Sequence, residues 1–570
     1  MDSLRFVLAI VLMVAVVLIT NLLSPKRPPV PVVRDSTHMT SPAVAAAAQR
    51  ESAATAREPA AAAPTPGAAA PGAVTTPTAL SAPAGLAAAP VVLVQSPLYR
   101  YAISTDGGAI TSAELLRYRS FTRAGPVQLA ASGLAPLISY RVVAGGRVVD
   151  LTTLRFRAEP AGTVELGAGS GPRTVRLVHD DSTLHAEIEY TFTPDRYLAS
   201  VRGVVRVAGA NLLDVQLPAT LAVNEANPVE DYRSLDYVIN SQVNGISSQS
   251  LDKLKGRKVE EGPLDWAAVK NKYFVAAALV ADGSGAAPFG GLIAQDADLP
   301  HAALLTATLP IARDGTWAFR LYLGPQETQQ LAAAHHDLQD VNSYGWRFLR
   351  PVIRPLAHII LWVVAQMHDL LHLGYGWVLI LIGVLIRVIL WPLNAKAMRS
   401  QLRNMELQPR LKEIQDRLKS DPEKMQKEVM RLYKEEGFNP LGGCLPMLIP
   451  MPVLFTLYFV FQGTIEFRGV PFLWLPDLSR ADPYYILPVL LGVTMFLLQW
   501  LGMRSTPQAN AQMKMMTYFM PIIWVVLFLN FASGLNLYYV SQNIASLPQQ
   551  LQLLAERKRW QARRGTTPVR

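Results

Sequence analysis

Of 570 residues only one is a cysteine, and only 17% carry a charge. The lone Cys444 has no partner within the chain, so any exported part is held together by its own core and not by a disulfide framework. So little charge, beside 50% hydrophobic residues, excludes a disordered tail protein and fits poorly with one soluble globule. No phosphate-cradling glycine motif stands out and no nucleophile sits at a telling distance from a base, so catalysis is not what the sequence advertises. One hydrophobic core rarely grows past about 250 to 300 residues, which implies at least two units.

What is present is unevenly placed. Phe6 to Leu23 is an uncharged apolar run long enough to cross a hydrocarbon core of about 30 Å as a helix, and it ends without an A-x-A cleavage site. Residues 1–24 are therefore expected to be a retained N-terminal transmembrane anchor. Residues 25–90, dominated by Ala and Pro with little to bury, are an expected extended linker. From 91 to 340 the pattern becomes alternating runs such as Thr174–His179, His185–Phe192 and Ala199–Val207, separated by turn residues, which predicts antiparallel strands in a large β-sandwich domain.

Beyond residue 340 the chain reads as helical and membrane-bound. Residues 345–373 carry Arg347, Arg350, Arg354, His358 and Asp369 on an otherwise apolar segment, the pattern of an amphipathic interfacial helix. Residues 374–393 form a span containing Arg387, and 441–553 hold four more spans with short loops. Between them, 394–440 reads as a charged helical hairpin whose second helix starts at Asp421-Pro422, and 554–570 is a basic tail. The positive-inside rule puts that hairpin in the cytoplasm, and five spans after the β domain put the tail on the same face. The net charge of +10 reflects this bias and does not point to nucleic acid as a primary ligand. The hairpin also reads as a solvated, salt-bridged connection with no further role.

Arg387 lies inside an apolar span, where an exposed guanidinium costs several kcal/mol, so it either faces protein or water or snorkels to the cytoplasmic headgroups. In the last span Asn536, Tyr539, Asn543, Ser546 and Gln550 recur every three or four residues on one helical face. Such a stripe serves either interhelical hydrogen bonding or, with Arg387 and Gln499, the lining of a wet positive recess. Four prolines and three glycines in Gly437–Pro452 rule out a straight helix there, and Met447, Met451, Met495, Met513, Met515, Met516 and Met520 serve either as core or lipid-facing filler or as a polarizable surface for apolar partners. His368 and His372 sit at i and i+4, but the acidic position holds Asp369 where a metalloprotease helix has Glu, and no third ligand is near.

The runs Ile386–Leu393, Leu407-Gln408-Pro409, Asn439–Pro446, Asp482–Pro488 and Ser533–Tyr539, in this order, resemble the bacterial YidC family of membrane protein insertases. The likeness spans about residues 345–560, and the anchor, linker and β domain resemble its Gram-negative form. It implies a multi-pass α-helical protein of six spans, five forming a core, plus an all-β periplasmic supersandwich. The implied activity is non-enzymatic and needs no cofactor or metal: insertion and chaperoning of nascent inner-membrane proteins, alone or with the Sec translocon, with both termini cytoplasmic. A hydrophilic substrate groove is implied around Arg387, with Tyr539 meeting substrate and Asn536, Asn543 and Gln499 beside it. Lys396, Arg403, Arg410 and Lys412 of the hairpin are implied in substrate recruitment, and the tail in ribosome contact. Two positions depart from the family pattern: Gly383 replaces a hydroxyl residue and Asn530 an aromatic. A transporter would need intramembrane relays where the central spans hold one charge, and a carbohydrate-binding protein would place its function in 91–340.

Overall fold

The computed structural model describes residues 90–283, 285–342, 350–392, 410–411, 413–419, 421–435, 451–504 and 511–565. The expected anchor, all but the last residue of the linker, Lys396, Arg403, Lys412 and residues 437–450 lie outside the described residues.

From Val91 onward the chain is β. A five-stranded sheet runs in the spatial order Pro126–Gln128, Ile110–Arg119, Tyr99–Ser104, Val91–Gln95, Thr163–Glu165. A 14-stranded antiparallel sheet has Arg147–Asp150 at one edge and Arg157–Glu159 at the other, with Arg257–Lys270, Phe274–Val280 and Thr316–Pro325 near its middle. Where one face is buried the sequence alternates, as in His185–Phe192, whose residues at every second position are buried. Phe274–Val280 is buried at all seven positions, because both of its faces are covered, and its sequence is accordingly a continuous apolar run. Tyrosines fill the core, and two of them satisfy each other: Tyr190 donates to Gly108 O at 2.8 Å, which leaves Tyr140 to donate to the Tyr190 oxygen at 2.7 Å.

Among the described residues that follow are the helices α1 Arg350–Leu371, α2 Tyr375–Ile389, α3 Pro422–Glu435, α4 Met451–Gly463, α5 Ile486–Arg504, α6 Ala511–Phe528 and α7 Ser533–Gly565. Of these, α5 contains an 18-residue apolar stretch of spanning length, Ile486–Met503, while Tyr375–Ile389, Val453–Gly463 and Thr517–Phe528 are shorter apolar helices. The last helix does not break at residue 553 but runs on to Gly565. Close packing sets α2 against α7: a Cβ on Gly383 would lie 3.1 Å from Tyr538 O and 3.2 Å from the Ser541 Cβ. A side chain at position 383 would crowd this seam. On α1, Ile353, Ala357, Ile360 and Val364 are buried while Val352, Ile359 and Trp362 remain exposed, so the helix is apolar on an outer face as well. His368 is occupied with structure, its Nδ1 2.7 Å from Leu373 O and its ring stacked on Tyr375.

The β domain is joined to the helices through the α4–α5 connection and α1. Arg468, just after α4, donates from Nε to Glu225 Oε1 at 2.7 Å and from Nη2 to Arg119 O at 2.9 Å, with its guanidinium 4.4 Å from the Phe121 ring. Arg354 of α1 donates to Asp340 at 2.6 Å. Further along the connection Asp482, 1% exposed, accepts from Leu487 N at 2.7 Å, Tyr484 N at 3.0 Å and the Trp474 indole at 3.3 Å, fixing the start of α5. Replacing Asp482 by Ala strands buried donors, and we expect a loss of about 2 kcal/mol in stability. Thermal unfolding in detergent checks this, and a midpoint unchanged from wild type contradicts it.

Candidate functional site

Arg387 sits two residues before the end of α2, half-buried, among Val384, Leu385, Val388 and Ile389, which are exposed on the outside of the bundle. Its guanidinium does not run out along the helix. Nη2 reaches across to α7 and donates to Gln549 Oε1 at 2.7 Å, and Gln549 Nε2 donates in turn to Trp391 O at 3.4 Å. The Arg387 Nε is buried and has no hydrogen-bond partner among the described residues. An Arg carries five N–H donors, so the guanidinium keeps unused hydrogen-bonding capacity, and among the described residues no carboxylate is bonded to it.

The polar stripe of α7 is shared among several neighbours. Asn536, fully buried, donates to Phe528 O of α6 at 3.2 Å, while its Oδ1 is buried without a partner among the described residues. Asn543 donates to Thr494 Oγ1 of α5 at 3.1 Å, and Thr494 donates back to its own helix. Ser546 donates to Gln542 O one turn earlier at 2.7 Å. Gln499 lies on α5 five residues beyond Thr494, half-buried, with no hydrogen bond to Arg387 or Asn543 among the described residues. Arg387, Asn536 and Asn543 thus make three separate contacts.

Tyr539 faces elsewhere. With Leu454, Phe455, Tyr458 and Phe459 of α4, Trp524 and Phe528 of α6 and Phe531 it lines an apolar cavity of about 570 Å³ between α4, α6 and α7. The rings meet edge to face, Tyr539 and Phe528 at 5.5 Å and 82° and Phe528 and Phe531 at 4.8 Å. Leu527, also part of the lining, is 43% exposed.

Of the recruitment residues only Arg410 is described, exposed at the start of a helical segment. Leu411 and Ile414 of that segment pack with Val429, Leu432 and Tyr433 of α3, so the expected hairpin has a small apolar seam of its own. Asp421 accepts from Lys424 N at 3.1 Å, as the Asp-Pro helix start predicts. Sequence reading passed over Gln549, Thr494 and the aromatic walls. Gln542 and Gln549, seven residues apart, form a second polar row on α7 that was the available sign of a face turned toward α2.

The chain matches two family models in succession, the YidC periplasmic domain over residues 91–360 and the 60Kd inner membrane protein over residues 366–559. A membrane protein insertase YidC of Chlorobaculum tepidum is 31% identical over 486 residues, covering 80% of this chain and 81% of that one. Its counterpart in Oleidesulfovibrio alaskensis is 31% identical over 498 residues, covering 83% and 89%. A crystal structure of an active YidC insertase with its first transmembrane domain resolved aligns over 81% of this chain and 94% of that one, at 18% identity and a TM-score of 0.32. Sequence likeness across both the periplasmic and the membrane-embedded parts makes this chain a member of the YidC family of membrane protein insertases.

Proposed function

We propose that this protein inserts nascent inner-membrane proteins and assists their folding, alone or beside the Sec translocon, by offering an uncancelled positive charge inside the membrane next to an apolar aromatic surface. The observation that carries the reading is Arg387, half-buried among apolar helices, bonded to a neutral amide and with Nε unpartnered among the described residues. A client's acidic tail gains a counter-charge part-way across, and its apolar span gains the Tyr539 cavity, about 570 Å³, on its way into lipid. The driving free energy is burial of the client's own span plus the membrane potential, about 2.3 kcal/mol per charge per 100 mV. A locally thinned bilayer around the core spans shortens the path that remains for the client's tail.

In this reading α2, α4, α5, α6 and the first part of α7 are the five core spans, residues 1–24 are the sixth, and α1 lies in the outer interface. Residues 91–340 form the periplasmic supersandwich, and both termini are cytoplasmic. Asn536, Asn543 and Gln499 are further polar residues of the groove. The hairpin residues Lys396, Arg403, Arg410 and Lys412 receive clients, and the basic tail meets the ribosome.

Purified protein in liposomes is expected to insert a short single-span client with an acidic N-terminal tail well above protein-free liposomes, scored by protease protection. Equal protection with and without the protein would remove this reading.

A further inference from the structure

Gln549 is 2% exposed, yet both ends of its amide are used: Oε1 takes an N–H from Arg387 at 2.7 Å and Nε2 gives one to Trp391 O at 3.4 Å. A buried amide is costly unless so satisfied, and here one side chain links the guanidinium, the C-terminal end of α2 and the body of α7. The same position would accommodate a carboxylate of nearly identical shape, and Glu would form the stronger, charge-assisted bond. A carboxylate there would also cancel the positive charge on the spot.

We infer that Gln549 is a positioning residue for insertion: it aims the Arg387 guanidinium across the α2–α7 seam while leaving its charge free for the acidic tail of a client. The inference rests on the role proposed above for Arg387. Two features of the seam support it. The helices touch at Gly383, one turn before Arg387, where a Cβ would lie 3.1 Å from Tyr538 O, so the arginine side chain leaves α2 beside α7. Nε also has no partner among the described residues, so the amide orients the group without saturating it.

The test uses the full-length protein in liposomes and two versions of one single-span client, one with an acidic tail and one with those acids replaced by their amides. Gln549→Glu is expected to lower insertion of the acidic client about tenfold while the neutral client stays within about twofold of wild type, because only the acidic tail senses the cancelled charge. Gln549→Met, which keeps the volume and the charge but frees the guanidinium, is expected to lower the acidic client by a smaller factor. Wild-type insertion of the acidic client by Gln549→Glu overturns the inference, and so does an equal loss on both clients, which a purely structural role would give. Arg387→Ala run in parallel separates the two claims. If it is selectively defective while Gln549→Glu is not, only the role of Gln549 falls. If it is not defective, the charge reading beneath it falls.

Discussion

Arg387→Ala is expected to reduce insertion of an acidic-tailed client at least tenfold, whereas Arg387→Lys retains most of the activity. At an effective dielectric of about 20, a carboxylate 4 to 6 Å from the guanidinium gains about 3 to 4 kcal/mol. Part of this is spent on desolvating the pair, and a net of only about 1.4 kcal/mol is already tenfold in an equilibrium. Ala removes the whole term and also leaves the Gln549 carbonyl oxygen, 2.7 Å from the arginine, without its donor. Lys keeps a charge of the same sign, although its point-like ammonium cannot reproduce the planar fork. Protease-protected client in liposomes is the measurement. Equal insertion by wild type, Ala and Lys would shift the mechanism to bilayer thinning and the apolar aromatic cavity, with Arg387 reduced to a passive group.

The largest expected effect on stability lies 81 residues along the chain from Arg387, at Arg468. Its side chain is 3% exposed and that of Glu225 is 9% exposed, so the pair is removed from water. Arg468→Ala leaves the Glu225 carboxylate buried without its cation, and we expect a cost of about 3 to 5 kcal/mol. Replacing both, as Arg468→Met with Glu225→Leu, is expected to cost far less, because the carboxylate that Arg468 was bonded to is gone with it. Burial already pushes the Glu225 carboxyl above the ordinary carboxylate range, with Arg468 pulling it down. Without Arg468 the carboxyl rises further in the folded protein. A folded-state value above the unfolded one contributes stability that is present at low pH and lost as pH rises, so the Arg468→Ala defect is expected to be smaller at acidic pH than at alkaline pH. Unfolding midpoints of both variants across that pH range check this. A single variant as stable as wild type at alkaline pH would mean that the carboxylate finds water or another donor once Arg468 is gone.

Legibility differed between the parts. The strands Arg173–Asp180, His185–Phe192 and Leu198–Arg206 fall where alternation predicts them, because a half-buried strand writes its two faces into every second residue. Phe274–Val280 shows no alternation, since covering both faces erases the polar positions. On the helical side the apolar blocks and the lone Arg387 were plain, for a charge in such a run is visible against its background. The partner of that charge was not. The stripe led to Gln550, one residue from Gln549, because a helix pattern gives a face and not the neighbour it meets. Nor did the pattern reveal that Asn536, Tyr539 and Asn543 attend to α6, the aromatic cavity and α5 in turn.

The sequence by itself determined the class of protein: a soluble β domain set before a membrane-embedded helical core, in the order that marks its family, with one guanidinium among apolar residues. Those features are local, since periodicity, run length and charge act over a few neighbouring residues. Tertiary structure decided which groups meet. Arg387 is joined to Gln549 across 162 positions and Arg468 to Glu225 across 243, and a contact between residues so far apart depends on how whole helices and sheets pack, which no local pattern encodes.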